Sequence, residues 1–359
     1  MPNMPSFLAN PDITLRIADH ADSETIRVLQ RVSKPMYSLL TTYQQSTVKS
    51  RIQQLISEPV FYPPLGSVIS SRGPERHLLK PYSLAVVGEL ELRNKRIDSL
   101  LNPHARFPLQ PPPPLIQAMS QIPTFVSLSH DKQSALLELY KTACRLADQI
   151  SDMAVTIELA ELSRETPTDP DVLEKRIHRA RLNYIKTLNP LQLALLGSLA
   201  SLCGMAYARE HTMMNSDPSF IERMTAYEET VLRQGSMALW GFLHPVGMGD
   251  ELSAADTKER SVSKPPNARS KVTGFVARKV DEVLKEIERY ESGLELRPEN
   301  IEEAADEVPG VLDGLLQTVN GAVRELGQNQ TAEDEEQEQE LQNVREFPCL
   351  RIILASLRG

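Results

Sequence analysis

Glu174 and His178 stand one helical turn apart in the run EKRIHRAR, so a helix there presents a carboxylate and an imidazole on one face. Such a pair could pass a proton or offer two ligands to a metal ion. The flanking residues are strongly basic, and a solvated cationic face is the simpler reading. Glu210, His211 and His244 could converge near Trp240 if the surrounding helices form a bundle, and would then line a pocket for a small ligand or a reaction. Gly247-Met248-Gly249-Asp250 holds a G-x-G triplet without the strand and helix that a phosphate cradle needs. The chain carries no P-loop, G-x-G-x-x-G or H-E-x-x-H pattern. The expectation is therefore no catalytic residue, no metal ligand and no cofactor.

Signals for protein contact are more numerous. Pro111 and Pro114 bracket a P-x-x-P peptide with Arg106 upstream, which reads either as a spacer or as a ligand for a proline-binding groove. Val276, Val280, Val283 and Ile287 step by four, three and four, the spacing of a coiled-coil seam, over a stretch short enough to gain from a partner. Leu312-Asp313-Gly314-Leu315-Leu316 fits an L-x-x-L-L box, a spelling that any amphipathic helix can produce. Leu350, Ile352 and Ile353 follow an acidic tract, a pattern that looks like a SUMO-interacting motif adding a strand to its partner's sheet. The same run could instead dock on the protein's own core.

The net charge of −9 is unevenly placed. Residues 1–130 carry 13 Lys/Arg against 9 Asp/Glu, residues 131–245 carry 12 against 15, and residues 246–359 carry 14 against 24. Acidity is thus a property of the last third, where six carboxylates lie between Glu333 and Glu340. With aromatics at 5%, the chain offers little for base stacking, so nucleic acid is disfavoured as a partner. Cys144, Cys203 and Cys349 share no short spacing and read as reduced thiols of an intracellular, cytoplasmic or nuclear protein. The N-terminus shows neither a secretory signal nor a transit peptide.

Good helix formers dominate and alternating β-branched runs are nearly missing, so the fold class is mostly α. The expected architecture is a multi-helix bundle with additional amphipathic, coiled-coil-like helices and disordered linkers. Residues 1–21 read as a disordered tail, 22–102 as an N-terminal helical segment, 103–128 as a Pro-rich linker and 129–245 as the bundle core. After these come a flexible basic linker at 246–270, C-terminal helices at 271–327, and an acidic tail with an apolar end at 328–359. Asp22-Ser23 marks a helix start, and Met36 to Ile56 reads as one long helix. Ser83 to Leu101 reads as helix with a short strand at Leu84 to Val87 as the alternative, Arg106 to Leu115 fits extended polyproline, and Asp217-Pro218 starts a single fourth helix through Phe220 to Trp240.

From Thr187 to Ala208 no residue is charged. Pro190, Ala194, Gly197, Ser201, Gly204 and Ala208 line one face of that stretch, which suits either the buried centre of a bundle or a single membrane pass at about 190–208. The core helix is favoured, because Gln192, Ser198 and Ser201 dilute the apolarity and Pro190 sits where a helix begins. These features together lead to the expectation of a non-enzymatic intracellular scaffold or adaptor within a larger assembly. Its partners are proteins, with possible self-association through 272–294 and with membrane disfavoured. The alternatives are an α-helical enzyme or ligand-binding protein with a pocket in 129–243, and the single-pass membrane protein.

Overall fold

Side-chain caps begin the first helices. Asn10 accepts the N–H of Asp12 at 3.0 Å with Pro11 next in line, Asp22 accepts from Thr25 at 2.7 Å, and Ser33 accepts from Met36 at 3.3 Å. Each oxygen satisfies a donor that has no partner inside its own helix. They open α1 (Pro11–His20), α2 (Ser23–Val32) and α3 (Lys34–Thr42). The computed structural model describes residues 10–56, 67–71, 77–101, 113–164, 168–210, 220–243 and 310–328, together with Lys285 and Ile353. The other helices are α4 (Gln44–Leu55), α5 (Leu84–Leu101), α6 (Pro114–Met119), α7 (Pro123–Val126), α8 (His130–Leu162), α9 (Pro170–Ile185), α10 (Pro190–Glu210), α11 (Phe220–Gln234), α12 (Ser236–Leu243) and α13 (Val311–Gln328). Among the described residues the fold is helical apart from an isolated antiparallel bridge between Ile69 and Leu78.

Several elements differ from the sequence reading. Residues 11–20, expected in a tail, form α1 and bury Ala18. The long helix expected from Met36 to Ile56 is broken at Tyr43, where the Thr42 hydroxyl donates back to the Ser38 carbonyl and the Ser46 hydroxyl to the Tyr43 carbonyl. Such hydroxyls compete with the helical ladder and bend it. Pro113 has near-polyproline angles (φ −51°, ψ 144°), but Pro114 opens α6 and puts Leu115 into the core, so the extended peptide stops short of Leu115. Pro fits there because the first helical position needs no N–H. The helix read over Ser83 to Leu101 is present as α5, with Leu84 to Val87 helical.

The chain divides into two units, Met1–Lys95 with Val155–Pro167 and Arg96–Ala154 with Thr168–Gly359. The cut falls inside α5 and α8 and not in the loops expected near 103–128. In the first unit Ala18, Ile26, Leu40, Val48, Leu84 and Val87 form one small core, and Val68, Leu79, Val86 and Leu90 a second. Glu91 accepts the Ser23 N–H at 3.1 Å and the Ser23 hydroxyl at 2.7 Å, which ties α5 to the start of α2, and Arg51 pairs with it at 3.1 Å.

The second unit is the bundle. Leu136, Tyr140, Ala143, Cys144, Ala147 and Ile150 give α8 one buried face, and α10 supplies Ala194, Leu195, Leu199, Leu202, Cys203 and Ala206. α10 is long and apolar enough to cross a membrane, and 78% of that stretch is buried inside the protein. It packs against α6, α11 and α13, while α13 also meets α9. Gly204 of the small-residue face of α10 meets the Glu228 side chain of α11, whose carboxyl carbon would lie 2.8 Å from a β-carbon there.

Where one helix was expected from Phe220 to Trp240, Gly235 takes φ +70° and splits it into α11 and α12. Its N–H still closes on the Val231 carbonyl at 2.8 Å, the left-handed helix end that glycine favours. Asp148 of α8 then accepts the Ser236 N–H at 2.7 Å and the Ser236 hydroxyl at 2.9 Å, capping α12 from 88 residues away. A β-carbon at position 235 would stand 2.9 Å from the Asp148 backbone Cα. Gly235→Ala therefore combines left-handed strain with a backbone clash and is expected to cost roughly 2–4 kcal/mol. Urea unfolding checks this, and an unchanged midpoint would show that α12 has another way to turn.

Candidate functional site

α9 has two faces of different chemistry. Ile177, Arg181, Leu182 and Ile185 turn inward and are buried, with the His178 side chain only 12% exposed. Lys175, Arg176, Arg179 and Asn183 turn outward into solvent. The basic run read from the sequence is thus a solvated face on one side and a charged network on the other.

The inner network begins at Glu174. His178 Nε2 lies 3.1 Å from Glu174 Oε1, and Arg233 Nη1 of α11 lies 3.7 Å from the same oxygen. Arg233 Nε donates to Glu229 Oε1 at 2.6 Å, and the Glu229 carboxylate accepts the N–H of Val311 at 2.9 Å and of Leu312 at 2.6 Å. A carboxylate at the first turn of α13 meets both its unsatisfied donors and the positive end of its dipole. Burial by itself would raise the Glu229 carboxyl, but the Arg233 guanidinium and these N–H groups outweigh it and hold the group below its usual range. The hydrogen bond from His178 brings Glu174 down to about 2 against the opposing effect of burial. Asp313, on α13 itself, moves up through burial and the nearby Glu229 charge.

This arrangement favours a structural anchor over a reactive pair. A metal ion at Glu174 would stand beside the Arg233 guanidinium, whose charge opposes it. No group of three or more potential metal ligands occurs among the described residues. Cys144 and Cys203 are buried free thiols, and desolvation pushes both upward, away from the reactive thiolate. Of the proposed pocket groups, His211 and His244 lie outside the described residues. Trp240, half-buried at the core, lies beneath the Arg96 guanidinium at 5.7 Å from the ring centre.

The outer face borders an open groove of about 380 Å³ lined by Val172, Lys175, Arg176, Arg179, Ala180 and Asn183. Its lining is mostly carbon, to which Val172, Ala180 and the stems of the long cations contribute.

Of the contact residues read from the sequence, Pro114 and Ile353 are among the described residues. Pro114 is the first residue of α6, and Ile353 is helical and fully buried in the bundle core. Leu312 and Leu315 of the L-x-x-L-L box also face that core, with Leu316 partly exposed. Pro111, Val276, Val280, Val283, Ile287, Leu350 and Ile352 lie outside the described residues. The anchors Glu91, Asp148 and Glu229 were not found in the sequence, since their partners are 68, 88 and 82 residues away and leave no local spacing. No protein-family model, no curated protein and no solved structure matches the chain.

Glu229→Ala leaves Arg233 buried without its carboxylate and the α13 turn without its acceptor, so a loss of about 3–5 kcal/mol is expected. Chemical denaturation with a loss under 1 kcal/mol would contradict the anchor. Glu228 behaves oppositely: desolvation against the α10 glycine face lifts it from 4.5 to about 7. Its folded form holds the proton more tightly than the unfolded chain, so stability falls as pH rises from about 4.5 through 7. Glu228→Gln should match the wild type near pH 4 and exceed it by roughly 2–3 kcal/mol at pH 8. Melting curves across pH check the sign, and an equal deficit at both ends would contradict it.

Proposed function

We propose that the protein is a non-enzymatic helical scaffold or adaptor that works by presenting helix faces to other proteins. The observation that carries this reading is α2. Val28 and Val32 lie one turn apart and are each 54% exposed, whereas Ile26 of the same helix is buried in the core. An apolar pair placed on the solvent side gains from a partner that covers it. Ile13 and Ile17 repeat the spacing on α1. In the second unit, Asp148 and Glu229 are committed to helix ends and Arg233 to Glu229, which gives those buried ionisable groups a structural role. The seam at Val276, Val280, Val283 and Ile287 adds a further surface at the level of sequence.

Affinity purification of the full chain, read by quantitative mass spectrometry and repeated with Val28→Asp/Val32→Asp and with Val283→Lys, tests the proposal. Charges at exposed positions should change folding stability by less than about 0.5 kcal/mol. The expected result is a reproducible partner set that falls at least about fivefold with one of the variants at an unchanged melting temperature, a loss of about 1 kcal/mol in binding. Partner sets identical across all three chains would remove these faces from the protein's function.

A further inference from the structure

The outer face of α9 and the acidic stretch Glu333–Glu340 are complementary in charge and belong to the same unit. We propose that this face, Lys175, Arg176 and Arg179 around the Val172–Ala180 floor, is the docking surface for that stretch of the protein's own chain, with Leu341 seated on the carbon floor.

The described residues that flank the acidic stretch on either side both belong to the bundle. On one side α13 packs against α9 and ends at Gln328. On the other, Ile353 is fully buried in the bundle core. The five residues from Gln328 to Glu333 reach about 17 Å, more than the width of a helix with its side chains, about 10 Å. A segment held at both ends meets a neighbouring site at an effective concentration of about millimolar, so even weak ion pairs fill it.

The chemistry of the groove selects the same occupant. Lys175 and Arg179, one turn apart, can pair with carboxylates spaced along Glu333, Asp334, Glu335, Glu336, Glu338 and Glu340. The aliphatic floor accepts a leucine, which follows directly at position 341. A nucleic acid fits less well. No aromatic side chain lines the groove, Tyr184 instead donates its hydroxyl to Gln149, and the −10 charge of residues 246–359 repels a polyanion.

Zero-length carbodiimide coupling of the full chain at low salt tests the contact, since it joins an ammonium to a carboxylate only where they touch. Peptide mapping should find Lys175 amide-linked to the 333–340 peptide, in monomeric protein, and the link should fade at least tenfold in 1 M NaCl, where screening reaches about 3 Å. Arg179→Glu should reduce it about threefold at an unchanged melting temperature. A chain with all six carboxylates replaced by Gln or Asn should in turn bind random duplex DNA about tenfold more tightly than the wild type. That second variant keeps the test open should the first fail to fold.

No link from Lys175 to 333–340, or a link indifferent to salt and to charge reversal, overturns the proposal. Links that join isotopically labelled to unlabelled chains assign the groove to a second copy. Equal DNA binding by the wild type and the neutralised chain shows a face already open to nucleic acid.

Discussion

The second unit depends on one buried carboxylate. Glu229 holds two N–H groups of α13 and the Arg233 guanidinium at once, beside a largely aliphatic core. A charge in such surroundings is tolerable only because each oxygen has a donor and a cation stands alongside. The constraint works in both directions. Without Glu229 the first turn of α13 would bury unsatisfied donors, and without α13 and Arg233 the carboxylate would have no reason to be ionised there. Since α13 packs on α9, α10 and α11, this one contact fixes how the last described helix closes the bundle.

The same device recurs on a smaller scale. Asp148 caps α12 from α8, and Glu91 caps α2 from α5. Each acid acts across a gap in the chain where a local Ser, Asp or Asn cap would act within it. Directional bonds of this kind add register to apolar packing, which by itself is indifferent to small slides of one helix along another. Glu228 marks the contrast, one position before Glu229 and turned toward Gly204 of α10, with burial as the cause of its upward shift.

Periodicity made the all-helical class, the buried nature of α10 and the course of α8, α9 and α13 legible from the sequence, because those helices carry their apolar residues at regular spacing over many turns. The N-cap at Asp22 was legible for a similar reason, since its partner Thr25 is three residues away. Breaks in the helices were harder to see. Tyr43 and Gly235 interrupt patterns whose apolar spacing runs straight through them, and the causes are a back-bonding hydroxyl in one case and a distant aspartate in the other. Glu174 and His178 were visible as a pair but not as part of a network, because Arg233 enters from another helix. The two-sided character of α9 was hidden as well, since Arg181 and Arg179 look alike in sequence and only packing sends one inward and the other out.

Gly235 also bears on how this chain can change over generations. Every replacement available to a codon at that position adds at least one carbon, and the space for it is held by the backbone of Asp148, which no side-chain adjustment can clear. The residue is thereby bound to two others, Asp148 and Ser236, that must vary with it or not at all. In a saturation library the three positions would stand out as intolerant columns, with neutral drift confined to the solvent-facing sides of the helices around them.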